Sequence, residues 1–541
     1  MALLEVENVS VSYGKKDAIA NVSLQAEAGE IVGFIGADGA GKSSLMHAIA
    51  GVRRFDGKIS FDGLAYRSPK EAEVLKGHIG LMPQGIGLVL YDTLSVDEHL
   101  RFFADIHNLK QNDTFKAYRK KLLHMAGLSD FTYRQAGKLS GGMMQKLSLI
   151  CTLLHKPKLL ILDEPTTGVD PLSRLELWKI LDDIRKEEGT VILISTAYMQ
   201  EAEKMDRVLL FDEGRVIAKG ESSELIEKAR PFTYTDTPCE NGGCIRFNKR
   251  TYSLKALNAP PAEPTLEGLF FTNALKKKLL LTKIEIKARE DNTQVPEIIM
   301  EARGLTKRFG SFTANDHVDM QLHAGEIVGL LGANGAGKTT FIKMLLGLYP
   351  IDDGELVLLG KSIRSGADRQ ELKKRIGYVS QHFALYKDMT VRENLIYFSN
   401  MHRIPTKTAM LRIQSFAETL GFSAFMDRFP HELPMGINQR FSVAVALLHE
   451  PVVLFLDEPT SGVDTIARAQ FWQMLHAVKK KWKISILITT HYMSEAEFCD
   501  RVVLLREGRK IADDTVANLY AANREAKSFE EIFLGFYRKS E

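Results

Sequence analysis

The sequence predicts an α/β fold that is present twice in the chain. Two segments recur: GEIVGFIGADGAGKSS at 29–44 returns as GEIVGLLGANGAGKTT at 325–340, and LLILDEPTTGVD at 159–170 returns as VLFLDEPTSGVD at 453–464. Corresponding residues are 296 positions apart in the first pair and 294 apart in the second. Self-similarity at a nearly constant spacing indicates two copies of one domain. Within each copy, apolar strand-like runs alternate with helical patterns, which is typical of an α/β protein with a parallel sheet.

Each element of the repeated unit has its own signal. The run EIVGFIG is short, apolar and rich in β-branched residues, and it ends at a glycine, as a strand leading into a turn does. The segment KSSLMHAIAG follows with helical spacing. The run LLILD is apolar until it ends in an acidic residue, and VILIST and ISILITT are similar apolar runs. Such runs predict strands that are buried on both faces of a parallel sheet.

The repeat also predicts the domain boundaries. We expect a first domain at about 1–225, a connector at 226–296 and a second domain at 297–541. The pattern PTLEGLFF (264–271) resembles SFEEIFLG (528–535), and Glu267 and Glu530 in these patterns are only 263 residues apart, so the first copy carries roughly thirty extra residues before its tail. Proline, glycine and polar residues in this stretch predict a linker or a small added subdomain.

Composition limits the classes to which the protein can belong. Hydrophobic residues make up 45% and charged residues 26% of the 541 residues, which excludes a wholly disordered or fibrous chain. The formal net charge of +3 gives no argument for a nucleic-acid partner. Four cysteines do not make a disulfide framework, which favours a reducing compartment. Because no run of ~18 apolar residues is present, we expect any role at a membrane to be exerted through a partner from the cytoplasmic side.

Each copy contains a motif for binding phosphate. Both Gly36-x4-Gly41-Lys42-Ser43 and Gly332-x4-Gly337-Lys338-Thr339 match the P-loop pattern GxxxxGK[ST]. Glycines let backbone N–H groups turn inward around a phosphate, and the following helix adds its positive end. The lysine supplies a charge to the β- and γ-phosphates, and the Ser or Thr hydroxyl can ligate Mg²⁺. Two matches at equivalent places, each after an apolar strand, exclude a chance glycine turn.

Paired carboxylates end an apolar strand in each copy, as Asp163-Glu164 and Asp457-Glu458. An aspartate at this position can hold Mg²⁺, and the glutamate after it can polarise an attacking water. With a P-loop upstream in each copy, these carboxylates predict hydrolysis of a nucleoside triphosphate.

Both halves resemble the nucleotide-binding domain of ABC-type ATPases, over nearly the whole chain apart from much of the connector. The most specific motif is LSGGM at 139–143, which resembles the family's LSGGQ signature; the second copy has LPMGI at 433–437. The resemblance implies two P-loop NTPase domains, each with a parallel-sheet core, an antiparallel β subdomain and an α-helical subdomain. It also implies ATPase activity with ATP and Mg²⁺ as ligands.

The resemblance assigns roles to residues that match the family's motifs. Tyr13 and Phe309 match the aromatic residue that stacks on adenine. Gln84 and Gln381 match the glutamine loop, and His491 matches the switch histidine. The expected ATP-binding residues are Tyr13, Gly36, Gly39, Gly41, Lys42, Ser43, Ser44, Phe309, Gly332, Gly335, Gly337, Lys338, Thr339, Thr340, Ser140, Gly141, Gly142 and Gly436. The expected Mg²⁺ residues are Ser43, Gln84, Asp163, Thr339, Gln381 and Asp457, and the expected catalytic residues are Glu458, His491, Glu164, Gln381 and Gln84.

In that family two domains face each other head to tail, and each ATP lies between the P-loop of one domain and the signature of the other. Carried over, this implies an intramolecular dimer with two unequal sites. The second P-loop has Glu458 and His491 and faces the intact 140–142 signature. The first P-loop has Ala197 instead of the histidine and faces Pro434-Met435-Gly436, in which proline offers neither a hydroxyl nor an N–H. We expect the first site to bind ATP but to hydrolyse it poorly, despite Glu164.

Further resemblances indicate the biological role. The sequences PTTGVDP and PTSGVD, and the tails PTLEGLFF and SFEEIFL, are similar to those of ABC-2-type exporter ATPases. This implies a peripheral subunit on the cytoplasmic face of the cell membrane that powers export of drugs or other small molecules. The implied partners are ABC-2-type permease subunits, with a periplasmic adaptor acting indirectly. Two alternatives stay open: a soluble ABC protein acting on the ribosome, and the tandem ATPase of a sugar importer.

Two aromatic-rich segments follow the glutamine loops, HLRFFADIHNL at 99–109 and NLIYFSNMHRI at 394–404. Their helical spacing predicts side chains that lie mostly in the core. In ABC transporters this region receives the permease, so part of it is expected to form a docking groove.

Overall fold

The computed structural model describes residues 2–14, 16–85, 89–237, 243–277, 284, 286, 288–289, 295–363, 368, 372–381 and 384–538. Their contacts divide the chain into two compact units. The first comprises Met1–Tyr234 with Ala256–Asn273, and the second comprises Thr235–Lys255 with Ala274–Glu541. Among the helices in these described ranges, none has both the length and the apolar character needed to cross a membrane.

The first unit is built on two sheets. Its strands are β1 (Leu4–Tyr13), β2 (Lys16–Ala26), β3 (Ile31–Gly36), β4 (Asp56–Phe61), β5 (Leu64–Tyr66), β6 (Ile79–Met82), β7 (Leu159–Asp163), β8 (Val191–Thr196), β9 (Arg207–Asp212) and β10 (Arg215–Glu221); β11 (Thr233–Thr235) follows in the chain and belongs to neither sheet. The larger sheet has the order β10-β9-β3-β8-β7-β6, in which only β10 runs antiparallel to its neighbour. Strands β3, β7 and β8 are buried along their whole length, as their apolar sequences predict.

The smaller sheet of the first unit is antiparallel, with the order β2-β1-β4-β5. Its inward side chains, such as Leu4 and Ile59, belong to the same core as Phe34 of β3 and Leu45 of the helix after β3. The P-loop strand and helix are therefore held from one side by the antiparallel sheet.

The helices of the first unit are α1 (Lys42–Ile49), α2 (Val96–Ile106), α3 (Asp113–Met125), α4 (Gly141–Leu153), α5 (Pro171–Glu188), α6 (Ser222–Glu227) and the tail helix α7 (Leu266–Lys276), which crosses the unit boundary. Helices α2, α3 and α4 lie between β6 and β7 in the chain and form the expected helical part. A capping box between Ser95 and Glu98 fixes the start of α2, because each side chain satisfies a backbone N–H that the helix leaves free.

The second unit repeats this architecture. Its strands are β14 (Ile298–Phe309), β15 (Phe312–His323), β16 (Ile327–Gly332), β17 (Asp353–Leu358), β18 (Lys361–Ser362), β19 (Ile376–Val379), β20 (Val453–Asp457), β21 (Ser485–Thr490), β22 (Arg501–Arg506) and β23 (Arg509–Thr515), preceded by β12 (Cys244–Phe247) and β13 (Arg250–Ser253) from the connector. The sheet orders are β15-β14-β17-β18 and β19-β20-β21-β16-β22-β23, which correspond strand for strand to those of the first unit. The predicted α/β fold class is therefore confirmed for both copies.

The helices of the second unit are α8 (Lys338–Leu346), α9 (Val391–Met401), α10 (Thr406–Thr419), α11 (Met435–Leu447), α12 (Thr465–Trp482), α13 (Val516–Ala522) and the tail helix α14 (Phe529–Arg538). Short 3₁₀ segments follow β8 and β21, at Met199–Lys204 and Met493–Phe498.

The connector contributes an antiparallel hairpin, β12–β13, to the second unit. Phe247 of the hairpin packs on Phe498 with ring centroids 5.2 Å apart, and Lys249 Nζ lies 2.8 Å from Glu497 Oε2. No pattern in the sequence indicates which copy this stretch joins. Cys244 is disulfide-bonded, whereas Cys151 and Cys499 are buried free thiols.

The prediction that the aromatic residues after the glutamine loops lie mostly in the core is wrong for Phe102 and Tyr397, whereas Phe398 packs against the core of the second unit. Phe102 is 39% exposed and Tyr397 is 38% exposed. The buried face of α2 carries Val96, Leu100 and Ala104, one helical turn apart, so Phe102 lies on the outer face. These rings pack edge to face with neighbours at the surface: Phe102 on Tyr91 at 5.7 Å, and Tyr397 on Tyr386 at 4.8 Å.

Candidate nucleotide-binding sites

Both P-loops lie between a central parallel strand and the first turn of a helix, β3 to α1 and β16 to α8. Gly41 and Gly337 cap these helices with φ of 98° and 96°, a conformation that favours glycine. A Cβ at Gly41 would lie 2.3 Å from the carbonyl oxygen of Ala18, and one at Gly337 would lie 2.4 Å from that of Ala314. The loops therefore have the tight glycine turn that a phosphate cradle needs.

The P-loop lysines are buried and held by backbone carbonyls. Lys42 Nζ donates to the carbonyls of Gly36 and Ala37 at 2.8 and 3.1 Å, and it lies 3.7 Å from Glu164 Oε1. Lys338 Nζ makes the same contacts in the second unit, at 2.9 and 3.0 Å to loop carbonyls and 3.6 Å to Glu458 Oε1. A buried ammonium surrounded by exchangeable carbonyls is suited to receive phosphate oxygens.

The aspartates of the carboxylate pairs sit at the ends of β7 and β20. In the second unit, Asp457 Oδ1 accepts from Thr339 Oγ1 at 3.1 Å and from Thr489 Oγ1 at 2.7 Å. In the first unit, Asp163 Oδ1 accepts from Ser195 Oγ at 2.5 Å. Burial raises the pKa of Asp457, while both threonine hydrogen bonds oppose that rise. A hydroxyl and a carboxylate that converge in this way fit one side of a Mg²⁺ ion, whose other ligands would be phosphate oxygens and water.

The glutamates are held in an uncommon backbone conformation. Glu164 and Glu458 have φ of 51° and 46°, in the left-handed region that costs a non-glycine residue roughly 1–2 kcal/mol. Their N–H groups donate to the hydroxyls of Ser195 and Thr489, at 2.8 and 2.9 Å. Residues in such conformations cluster at functional sites, and sequence reasoning gave no sign of this one.

The glutamine loops contact these glutamates. Gln84 Nε2 donates to Glu164 Oε2 at 2.8 Å, and Gln381 Nε2 donates to Glu458 Oε2 at 3.1 Å. Each unit therefore joins its predicted lysine, glutamate and glutamine in one cluster.

The two units differ in the residue at the switch position. His491 is fully buried, and its Nδ1 lies 3.1 Å from Glu458 Oε2, to which it donates because a carboxylate only accepts. Its Nε2 is buried and has no partner among the described residues. An unpartnered buried nitrogen costs about 1–3 kcal/mol, which a nucleotide oxygen would recover by accepting from Nε2 in the doubly protonated ring. In the first unit the same place holds Ala197, whose side chain has no hydrogen-bonding atom.

This difference reverses the pKa shift of the neighbouring glutamate. Burial acts to raise the pKa of Glu458, but the hydrogen bond and charge of His491, together with Lys338, lower it to about 2. Burial raises the pKa of Glu164, and the charge of Lys42 opposes this without reversing it.

The signature segments start helices α4 and α11. The Ser140 side chain caps α4 by accepting from the N–H of Met143 at 3.3 Å, whereas Pro434 at the same position makes no side-chain cap. Met435 is 41% exposed. A Cβ at Gly142 would lie 2.4 Å from Ser173 Oγ, so this glycine is required for the packing of α4 against α5.

The predicted adenine-stacking rings lie at the ends of β1 and β14 and are nearly half exposed. The Tyr13 hydroxyl lies 3.3 Å from Ser44 Oγ of the P-loop helix, and the Arg53 guanidinium lies 3.9 Å from the centre of its ring. Phe309 instead packs edge to face on Tyr349 at 5.4 Å. Arg53 and Tyr349 occupy equivalent positions 296 residues apart, and sequence reasoning missed both.

The other predicted residues lie in the same turns and helix starts: Gly36, Gly39, Ser43, Ser44, Gly332, Gly335 and Thr340 in the P-loop regions, and Gly141 and Gly436 in the signature helices. The pairing of each P-loop with the signature of the other copy stays a prediction.

Comparison with known proteins adds three findings. The family model described as "ABC transporter" matches residues 19–167 and 315–461. The "Probable multidrug ABC transporter ATP-binding protein YbhF" of Escherichia coli K12 is 37% identical over 560 residues, covering 96% of this chain and 94% of that protein. The "Putative HMP/thiamine import ATP-binding protein YkoD" of Bacillus subtilis 168 is 26% identical over 535 residues, covering 96% of this chain and 92% of that protein.

Proposed function

This chain belongs to the ABC transporter family of ATP-binding proteins, and from that premise we propose that it powers an ABC-2-type exporter with one efficient ATPase site out of two. The chain is an ATPase with two ABC domains. One observation supports unequal ATPase rates at the two sites: His491 is hydrogen-bonded to Glu458, whereas the equivalent residue in the first unit is Ala197.

The efficient site is built on the second P-loop, with the first signature opposite. When ATP binds, Lys338 replaces its hydrogen bonds to the loop carbonyls with hydrogen bonds to the β- and γ-phosphate oxygens. Thr339 and Asp457, with Gln381, would hold Mg²⁺, which would neutralise charge on the phosphates. Glu458 is ionised because its pKa is low, so it accepts a hydrogen bond from the attacking water and orients it. When its ring is protonated at both nitrogens, His491 donates from Nε2 to the γ-phosphate while Nδ1 donates to Glu458.

The inefficient site is built on the first P-loop. Its cradle, lysine and glutamate are in place, so ATP binding is retained. It has no histidine, and its facing signature begins with Pro434, which offers neither a hydroxyl nor an N–H. Each hydrogen-bond donor that is lost from the transition state lowers the rate of ATP hydrolysis roughly a hundredfold. With two donors lost, this site binds ATP but hydrolyses it very slowly.

The proposed partners are two permease subunits or one dimeric permease, which carry the cargo pathway. The exposed aromatic clusters around Phe102 and Tyr397 follow the glutamine loops and offer an apolar surface for docking. ATP binding would close the two domains and hydrolysis would reopen them, with Gln84 and Gln381 linking each glutamate to this surface.

The name of the E. coli relative supports a multidrug cargo, and we extend that cargo class and a location on the cytoplasmic face of the membrane to this chain.

An affinity pull-down of the tagged chain from detergent-solubilised membranes, followed by mass spectrometry, tests this role. We expect stoichiometric polytopic membrane proteins of the ABC-2 class. Ribosomal proteins without a permease would overturn the transport role in favour of a translation factor. Recovery with an importer permease would keep the transporter and overturn the direction.

A further inference from the structure

We propose that Tyr537, on the C-terminal tail helix α14, is a positioning residue for the second P-loop; this inference rests on ATP binding at that loop. The Tyr537 hydroxyl accepts from the N–H of Ala333 at 3.2 Å and donates to the carbonyl of Leu505 at 3.0 Å. Ala333 is the second residue of the P-loop motif, and Leu505 lies on β22, which pairs with the P-loop strand β16. One phenol therefore ties the start of the loop to the adjacent strand.

The contact reaches the nucleotide-binding lysine through one residue. The carbonyl of Ala333 accepts from Lys338 Nζ at 3.0 Å, while the N–H of the same residue is held by Tyr537. Lys338 in turn lies 3.6 Å from Glu458 Oε1. Holding Ala333 in place therefore fixes the loop around the lysine and keeps the turn ready for phosphate, which lowers the ordering cost of binding.

The tail helix is itself firmly attached, so Tyr537 is not a loose chain end. Phe529, Ile532 and Phe533 of α14 are buried in the core of the second unit. Arg506, at the end of β22, donates from Nη1 to the carbonyl of Tyr537 at 2.7 Å. Its guanidinium lies 5.2 Å from the centre of the tyrosine ring.

The first copy provides an internal comparison. The register of PTLEGLFF on SFEEIFLG matches Ala274 with Tyr537, and the domain repeat matches Asp212 with Arg506. Asn273 Nδ2 donates to Asp212 Oδ2 at 2.6 Å, so the first tail helix is also attached to the end of the corresponding strand. At the position that aligns with Tyr537 the first copy has Ala274, whose side chain has no hydroxyl. The additional hydrogen bond from the tail helix is therefore made at the P-loop whose site contains both Glu458 and His491.

The test measures nucleotide binding at each P-loop separately in the full-length chain. Lys42→Ala leaves the second P-loop as the intact site, and Lys338→Ala leaves the first. Tyr537→Phe is added to each, because phenylalanine keeps the ring packing and removes only the hydroxyl. Binding is followed by titration with the fluorescent analogue TNP-ATP. Tyr234→Phe, which removes an exposed hydroxyl from the carbonyl of Pro231 in the first unit, is the matched control.

We expect Tyr537→Phe to weaken binding about 3- to 10-fold in the Lys42→Ala background, the range for one net hydrogen bond, and to leave the Lys338→Ala background unchanged. Unchanged binding in the Lys42→Ala background would overturn the proposal. Equal weakening in both backgrounds would also overturn it, since that outcome indicates general loss of folding. If Lys42→Ala abolished binding while Lys338→Ala retained it, the second site itself would be wrong, and the role of Tyr537 with it.

Discussion

Replacing His491 by alanine gives the second unit the side chain that the first has at position 197. The variant loses the hydrogen bond from Nδ1 to Glu458 Oε2 and the buried Nε2 that has no protein partner among the described residues. One preorganised donor to a developing charge contributes roughly 3 kcal/mol, so we expect kcat to fall roughly a hundredfold. The P-loop contacts of Lys338 are untouched, so KM for ATP should change much less.

The same variant should also alter the pH dependence. In the wild type the pKa of Glu458 is lowered to about 2, so the carboxylate is ionised throughout the working range. Without the histidine, burial dominates as it does at Glu164, where the pKa is raised. Because the ionised form is the active one, the acid limb of kcat should move to higher pH in His491→Ala.

The assay is steady-state phosphate release at saturating ATP, from about pH 5 to 8. His317→Ala is the control, because His317 also contacts a carboxylate, Asp316, but at the surface. It should behave as the wild type. A His491→Ala enzyme with more than half the wild-type kcat, or with an unchanged acid side of the pH profile, would show that His491 has neither of these roles.

Three further predictions concern stability. Gly142→Ala should destabilise the first unit by about 1–3 kcal/mol in denaturant unfolding because its Cβ has no room, whereas Gly77→Ala, with open space around it, should not. Pro434→Ser should stabilise the second unit by about 1 kcal/mol, since it restores the N-cap of α11; an unchanged midpoint would contradict this. Burial lowers the pKa of His449, which stacks on His402 with ring centroids 3.9 Å apart, to about 4. Below pH ~6.5 the unfolded chain therefore binds more protons than the folded chain, so the free energy of unfolding should decrease as the pH is lowered from ~6.5 to about 4. This decrease should be less steep in His449→Asn.

The sequence allowed much of the fold and the site to be predicted because both depend on local patterns. Buried parallel strands are continuous apolar runs, and a P-loop needs glycines and a lysine at fixed spacing. The structure accordingly brings Lys338, Glu458, Gln381 and His491 together as the motifs implied.

Other features depend on tertiary contacts that no local pattern records. The left-handed backbone of Glu164 and Glu458 is held by hydroxyls about thirty residues away. The contact of Tyr537 with Ala333 joins residues 204 positions apart. The outward orientation of Phe102 follows from which face of α2 is buried, and helical spacing alone does not distinguish that face.

Steady-state ATPase activity of Glu458→Gln beside Glu164→Gln shows whether the two proposed ATP sites turn over unequally. Each variant removes one glutamate charge and serves as the control for the other. We predict that Glu458→Gln lowers turnover by about a hundredfold or more, whereas Glu164→Gln lowers it less than about twofold. Equal losses from the two substitutions would mean that both sites hydrolyse ATP and that the proposed inequality is wrong.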